Sequence, residues 1–349
     1  MQTLEHVVDD GAGWELSVFQ TWDPGKLVPG RRPVLIVPGY GMNSFIFSWH
    51  PSGVSLEGFL AERGFEVWRV DLRAQGNSRR VGGSDQLRLE DLAADLGVAA
   101  RFALERTETG ADRVDVLGAS LGGTIMLLQA VLDPAHRFGS LVAVGTPIRW
   151  VAIHPALRLA FASPALVGAI RIRGARRIAE IALRHIVRRT PWILSVYMNP
   201  EITDTSAVGE LIKTVEDPNR HVNRQIAEWI RDRDLVVGGR RLGDALGEVT
   251  RPLLCVLANG DGIVPRATAE FVFHHVGSRD KELLEVGTNA ISMAHADLFV
   301  SRPAHERVFA PVARWLADRD RVGEPPVGRG GAGQPPVGRG GAGEPPEGR

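Results

Sequence analysis

The chain has 349 residues, 44% hydrophobic and 23% charged, with 41 basic residues balanced by 41 acidic ones. That balance excludes a wholesale nucleic-acid binder, which needs a cationic surplus. The single cysteine, Cys255, excludes an intrachain disulfide.

In chain order, the N-terminus MQTLEHVVDDGAGWEL lacks a basic start followed by an apolar run, so no signal peptide is expected. With one cysteine this points to a reducing compartment, the cytoplasm. Leu4–Val8 and Trp14–Trp22 read as a hairpin. Pro33–Val37 is an apolar run ending at Pro38-Gly39, hence a buried strand. Leu56–Arg63 is a short helix stopped by Gly64, and Glu66–Leu72 is a strand. Leu89–Arg106 is an amphipathic helix. Arg113–Gly118 is a strand that runs into Gly-Ala-Ser-Leu-Gly-Gly, followed by an apolar helix over Leu121–Leu132. Further strands are Ser140–Val144, Pro252–Ala258 and Lys281–Val286, and Ala296–Asp318 contains the last helix. The alternation of strand and helix argues α/β, and continuously apolar strands imply a parallel sheet covered on both faces.

Two intervals stand apart. Residues 148–249 hold no clear strand and are too long for a plain loop, so a helical cap is expected between a first core part (1–147) and a second (250–321). No apolar stretch of about 18 residues is free of charge and proline; Val151–Ile170 comes nearest but carries Pro155, Arg158 and Pro164. Residues 322–349 repeat at ten residues (EPPVGRGGAG, QPPVGRGGAG, EPPEGR) and are expected to be disordered and without catalytic role. That tail holds 10 of the 40 glycines and 6 of the 22 prolines from Gly323 on, so the rest of the chain is average in proline and only modestly high in glycine. Its two Arg-Gly-Gly units are few for RNA contact, and Glu324, Glu344 and Glu347 offset their charge.

Gly118-Ala119-Ser120-Leu121-Gly122 fits G-x-S-x-G, a weak pattern alone. Here a strand precedes it and a helix follows, the setting in which a sharp turn exposes a serine Oγ above a sheet. Gly118 and Gly122 are expected to keep the neighbouring strand and helix clear. A serine nucleophile needs a base. Of the ten histidines, His295 alone lies between the last strand and the final helix, where the chain passes the C-terminal edge of the sheet, and follows both the serine and the acid in chain order. The remainder read as hairpin, helix, turn or cap residues, and His50 as a residue at an entrance. The base needs an orienting carboxylate, and Asp261 follows the strand PLLCVLA in a Gly-rich loop. Asp280 precedes a strand instead, and Asp297 reads as a cap of the final helix. An oxyanion needs two N–H donors. They are expected from Leu121 and from Tyr40, with Gly39 and Gly41 letting the backbone approach.

Together these segments resemble the α/β-hydrolase superfamily over about residues 30–320. VPGYGMN looks like its His-Gly loop, with Pro38 where His is usual. VDLRAQGNS looks like its Asp-x-Arg-Gly-x-Gly-x-Ser segment, with Ala74 departing from it. ANGDGIVP and SMAHADLF look like the acid and histidine loops, with Ala294 in place of a frequent Gly. The resemblance implies an α/β-hydrolase fold, a mostly parallel sheet flanked by helices with a helical cap, and a chain order Ser120…Asp261…His295. EVWRVDLRAQGNSRR is also similar to acid-lipase segments. GTPIRW, the long insertion and the HADLF ending are similar to polyhydroxyalkanoate synthases, which carry Cys where Ser120 stands. Serine favours ester hydrolysis over that polymerase. It also argues against the dehalogenases and epoxide hydrolases of this fold, which use Asp.

The apolar stretch Val151–Ile170 suggests a greasy lining and a hydrophobic ester substrate. Arg171–Arg189 holds seven Arg against Glu180. Ile178, Ile181, Ala182 and Ile186 share one helical face, which is read as core-facing. Peripheral contact with an anionic membrane is the alternative use of such a basic helix. The expectation is a Ser–His–Asp esterase needing no metal or organic cofactor. An acyltransferase with the same triad and a non-catalytic lipid- or partner-binding protein are the competing readings.

Overall fold

The computed structural model describes residues 1–169, 174–179 and 195–320. The expected tail and most of the arginine-rich stretch lie outside the described residues. The chain opens with an antiparallel hairpin of β1 (Gln2–Asp9) and β2 (Trp14–Trp22). It continues through β3 (Val34–Val37), β4 (Val67–Asp71), the short β5 (Arg79–Arg80), β6 (Val114–Ala119) and β7 (Phe138–Val144). After the cap, with its hairpin β8 (Val236–Val237) and β9 (Arg240–Arg241), come β10 (Leu253–Ala258) and β11 (Lys281–Val286). The main sheet has nine strands in the order β1-β2-β4-β3-β6-β7-β10-β11, with β5 beside β2. From β4 to β11 every neighbouring pair is parallel.

Side-chain alternation within the apolar strands divides the core in two. Val34, Ile36, Leu117, Val142 and Val144 join one buried cluster with α1 (Leu56–Ala61) and the C-terminal helix Ala310–Asp320. Leu35, Val37, Val116, Leu141 and Ala143 join the other, with α2 (Leu89–Arg106) and α3 (Leu121–Leu132). Cys255 is buried on this second side, and burial pushes its thiol up to about 12.

Three expectations change. The cap is not free of strand: Gly238 (φ +56°) and Gly239 (φ +79°) turn β8 into β9, a two-residue turn that only residues tolerant of positive φ make cheaply. The stretch expected to contain the last helix holds two helical pieces, a short Asp297–Val300 and then a π-helical turn His305–Phe309 that runs directly into Ala310–Asp320. Pro303 and Pro311 lack the N–H that a continuous α-helix would use, which accounts for the gap after Val300 and for the π-helical turn. Ile178, expected on a core-facing side, is exposed. Ile181, Ala182 and Ile186 lie outside the described residues. Among the described residues no helix is long and apolar enough to cross a membrane.

The cap packs on the core through the helix Arg220–Asp232, whose Val222, Asn223, Ile226, Trp229 and Ile230 are buried. Trp229 Nε1 donates to the Ile148 carbonyl at 2.7 Å, its ring tilted against Trp150. Arg149 pairs with the buried Asp234 and holds the cap at its base.

Candidate active site

Because β3, β6, β7, β10 and β11 are parallel, the loops that follow them meet at one edge of the sheet. Ser120, directly after β6, has φ +53° and ψ −119°, a conformation that side-chain-bearing residues rarely hold. Its surroundings enforce it. The Ser120 N–H donates to the Val144 carbonyl at 2.7 Å, and its carbonyl accepts from Gly123 N–H at 3.0 Å. A Cβ on Gly118 would collide with the Gly123 backbone, and one on Gly122 with the Val37 and Pro38 carbonyls. Both glycines are therefore required by the close approach of β3, β6 and α3. Gly39 also sits tightly, since a Cβ there would lie 3.2 Å from that of Ser120.

Asp261 and His295 meet at this edge. Asp261 Oδ1 accepts the Ile263 and Val264 N–H groups at 2.8 Å each, which fixes the carboxylate and leaves Oδ2 free to face the imidazole. His295 Nδ1 lies 2.6 Å from that Oδ2. An acceptor at this distance keeps the proton on Nδ1 and leaves Nε2 with its lone pair. Gly145, next after the Val144 that binds Ser120, lies under this pair. A Cβ on it would be 3.0 Å from His295 Cε1 and 3.5 Å from Asp261 Oδ2. Ser120 and His295 are thus both seated on the turn that ends β7. Asp280, by contrast, pairs with Arg319 at the start of β11.

Tyr40 and Leu121 border the same cavity as Ser120. Leu121 opens α3, so its N–H has no intrahelical acceptor. Among the described residues neither the Leu121 nor the Tyr40 N–H has a hydrogen-bond acceptor. Gly41 adopts φ +66°, turning the loop after Tyr40 toward the cap, where its carbonyl accepts from Glu216 N–H at 2.9 Å.

The cavity, of about 60 Å³, is otherwise apolar. Leu157 and Phe161 reach it from the Val151–Ile170 stretch, and Trp150, Ile226, Trp229 and Ile230 close it. The same stretch also leaves Leu159 and Leu166 exposed, so only part of it forms a lining.

Several residues depart from their expected places. Asp297 does not cap the final helix with its side chain. It is fully buried and accepts from Ala294 N–H (2.7 Å), Asn199 N–H (2.9 Å) and Thr203 Oγ1 (2.7 Å), tying the histidine loop to the middle of the cap segment. Burial pushes its carboxyl up to about 6. His50 is not at an entrance. Its Nδ1 accepts from Ser52 N–H, its Nε2 donates to the Ser301 carbonyl, and its ring packs 4.3 Å from that of His305. Burial there holds it down to about 4.

Gly145 and Tyr197 escaped the sequence reading. The first is signalled by a glycine directly after a buried strand. The second, whose ring lies 6.2 Å from His295, has no sequence signal. Ala74, where the resembling segment has Gly, is held at φ +62°. Among the described residues no three His, Cys, Asp or Glu side chains gather as a metal site.

A sequence profile of the alpha/beta hydrolase fold matches residues 32–284, a span that contains Ser120 and Asp261 and ends before His295. The structure is similar to an esterase from Exiguobacterium antarcticum (TM-score 0.57, 16% identity), covering 90% of this chain and 100% of that one. It is also similar to a thermophilic esterase from Thermogutta terrifontis (0.60, 17%, 92% and 100%). A proline iminopeptidase from Mycobacterium smegmatis matches to the same degree (0.59, 18%, 92% and 100%). An esterase and a peptidase share this likeness equally, so it speaks for the fold and leaves the scissile bond to be argued from the site.

Proposed function

The chain belongs to the α/β-hydrolase fold family, and from that premise we propose that it is a serine hydrolase of carboxylic esters with a hydrophobic acyl or alcohol part. The observation that carries this reading is the shared seat of Ser120 and His295 on the Val144–Gly145 turn, with Asp261 Oδ2 2.6 Å from His295 Nδ1. In the proposed reaction, Ser120 Oγ attacks the ester carbonyl as His295 Nε2 takes the hydroxyl proton. The Tyr40 and Leu121 N–H groups receive the oxyanion. Collapse breaks the bond to the alkoxy oxygen, which leaves with the proton from Nε2 and gives an acyl-Ser120. Water, deprotonated by His295, attacks that ester, and Ser120 departs with the proton as the acid is released. Asp261 holds the imidazole in the reactive tautomer. The apolar walls around Ser120 support a hydrophobic substrate.

The test is turnover of p-nitrophenyl butyrate. Ser120→Ala and His295→Ala, folded as judged by circular dichroism, should each lose about 10⁴-fold or more in kcat. Variants that stay within about tenfold of the parent would refute the assignment.

A further inference from the structure

Tyr40 borders two cavities of unequal size. One is the cavity of about 60 Å³ that opens on Ser120. The other is a cavity of about 330 Å³ bordered by Met42, Tyr197, Leu211, Ile212 and Val215. Tyr40 itself is held in place by the cap. The Tyr40 hydroxyl donates at 2.7 Å to Oδ1 of the buried Asn223 in the cap, and its ring meets Phe161 edge-on at 6.1 Å.

The two chambers have different chemistry to serve. The acyl group stays bonded to Ser120 through the intermediate, so it needs the chamber that contains Ser120. The leaving alcohol must receive a proton from His295, and Tyr197, packed 6.2 Å from that ring, borders the larger chamber. At about 10–15 Å³ for each water-sized group, the first has room for roughly four to six such groups and the second for more than about twenty. The large chamber is mainly apolar. Its carboxylate, Glu216, already accepts from Asn43 and Arg176, and the Thr214 hydroxyl donates to the Leu211 carbonyl.

We propose that Tyr40 divides the site into a short acyl chamber and a large leaving-group chamber, so that the enzyme acts on short-chain acyl esters of bulky, largely apolar alcohols. This rests on the serine-hydrolase reading above. Two substrate series on the full chain test it. In p-nitrophenyl esters, kcat/KM should peak at acyl chains of about three to five carbons and fall at least about tenfold by eight. In butyrates of alcohols of similar acidity (ethanol, 2-cyclohexylethanol, 2-(2-naphthyl)ethanol), it should rise about tenfold or more with alcohol size.

Leu211→Trp, which fills the large chamber, should cut naphthylethyl butyrate about tenfold and leave ethyl butyrate within about twofold. If that variant does not fold, Ile226→Ala, which enlarges the small chamber, should move the acyl optimum to longer chains. An active parent enzyme that prefers acyl chains of eight or more carbons, or is indifferent to alcohol size, overturns the chamber assignment and leaves the serine chemistry standing. So does an equal loss on both butyrates in Leu211→Trp, or an unmoved optimum in Ile226→Ala. Absence of turnover on every ester, with no labelling of Ser120 by a fluorophosphonate, overturns the serine-hydrolase reading and this one with it.

Discussion

The loops at the ends of the parallel strands and the cap above them are built in different ways. At the strand ends, atoms are held by backbone groups and by the lack of space. Ser120 is pinned by Val144, the Asp261 carboxylate by two N–H groups, and Gly118 and Gly122 admit no Cβ. The cap is held by apolar faces and a few side-chain contacts, among them Trp229 to Ile148, Tyr40 to Asn223 and Arg149 to Asp234. Bond making depends on placement to a fraction of an ångström, and backbone contacts supply that. Choice of substrate depends on the shape of an apolar volume, which many side chains could provide.

Substitutions should separate the two regions by the size of their effect. The largest is expected at the strand ends. Asp261→Asn keeps the shape but lets the imidazole take the wrong tautomer, and should lower kcat for p-nitrophenyl butyrate about 10³–10⁴-fold. A loss below about tenfold would mean that another group orients His295. A smaller effect is expected in the cap. Asn223→Ala frees the Tyr40 ring and should reduce kcat/KM by about three- to tenfold, chiefly through KM. A loss as deep as that of Asp261→Asn would show that the cap takes part in the bond-making step and erase the contrast.

The same contrast explains what could be read in the sequence. The strand Lys281–Val286 and the helices Leu89–Arg106 and Leu121–Leu132 are found with the bounds expected of them, because each carries its own periodicity and its own stop. That Asp261 and His295 meet at the sheet edge beside Ser120 could be expected because Ser120 and Asp261 each follow an apolar strand in a loop rich in small residues and His295 lies in the loop after the last strand, all local signals. The place of Asp297 could not, since its partners Asn199 and Thr203 lie almost a hundred residues away and nothing in the sequence announces them. His50 was misplaced for the same reason, as the Ser301 carbonyl and His305 that enclose it come from the far end of the chain. The hairpin at Val236–Arg241 was missed even though Gly238-Gly239 is a turn signal, because its strands are only two residues long. Tyr40 was expected for its N–H alone. That its ring borders two cavities and is held by Asn223 and Phe161 becomes visible only once the cap has folded down upon it.

If Ser120 is an activated nucleophile, a fluorophosphonate should label it covalently. One adduct per chain is expected, located by peptide mass spectrometry on the segment containing Ser120, absent in Ser120→Ala and formed far more slowly in His295→Ala. A folded protein that takes up no probe, or carries it on another residue, would rule out Ser120 as the nucleophile.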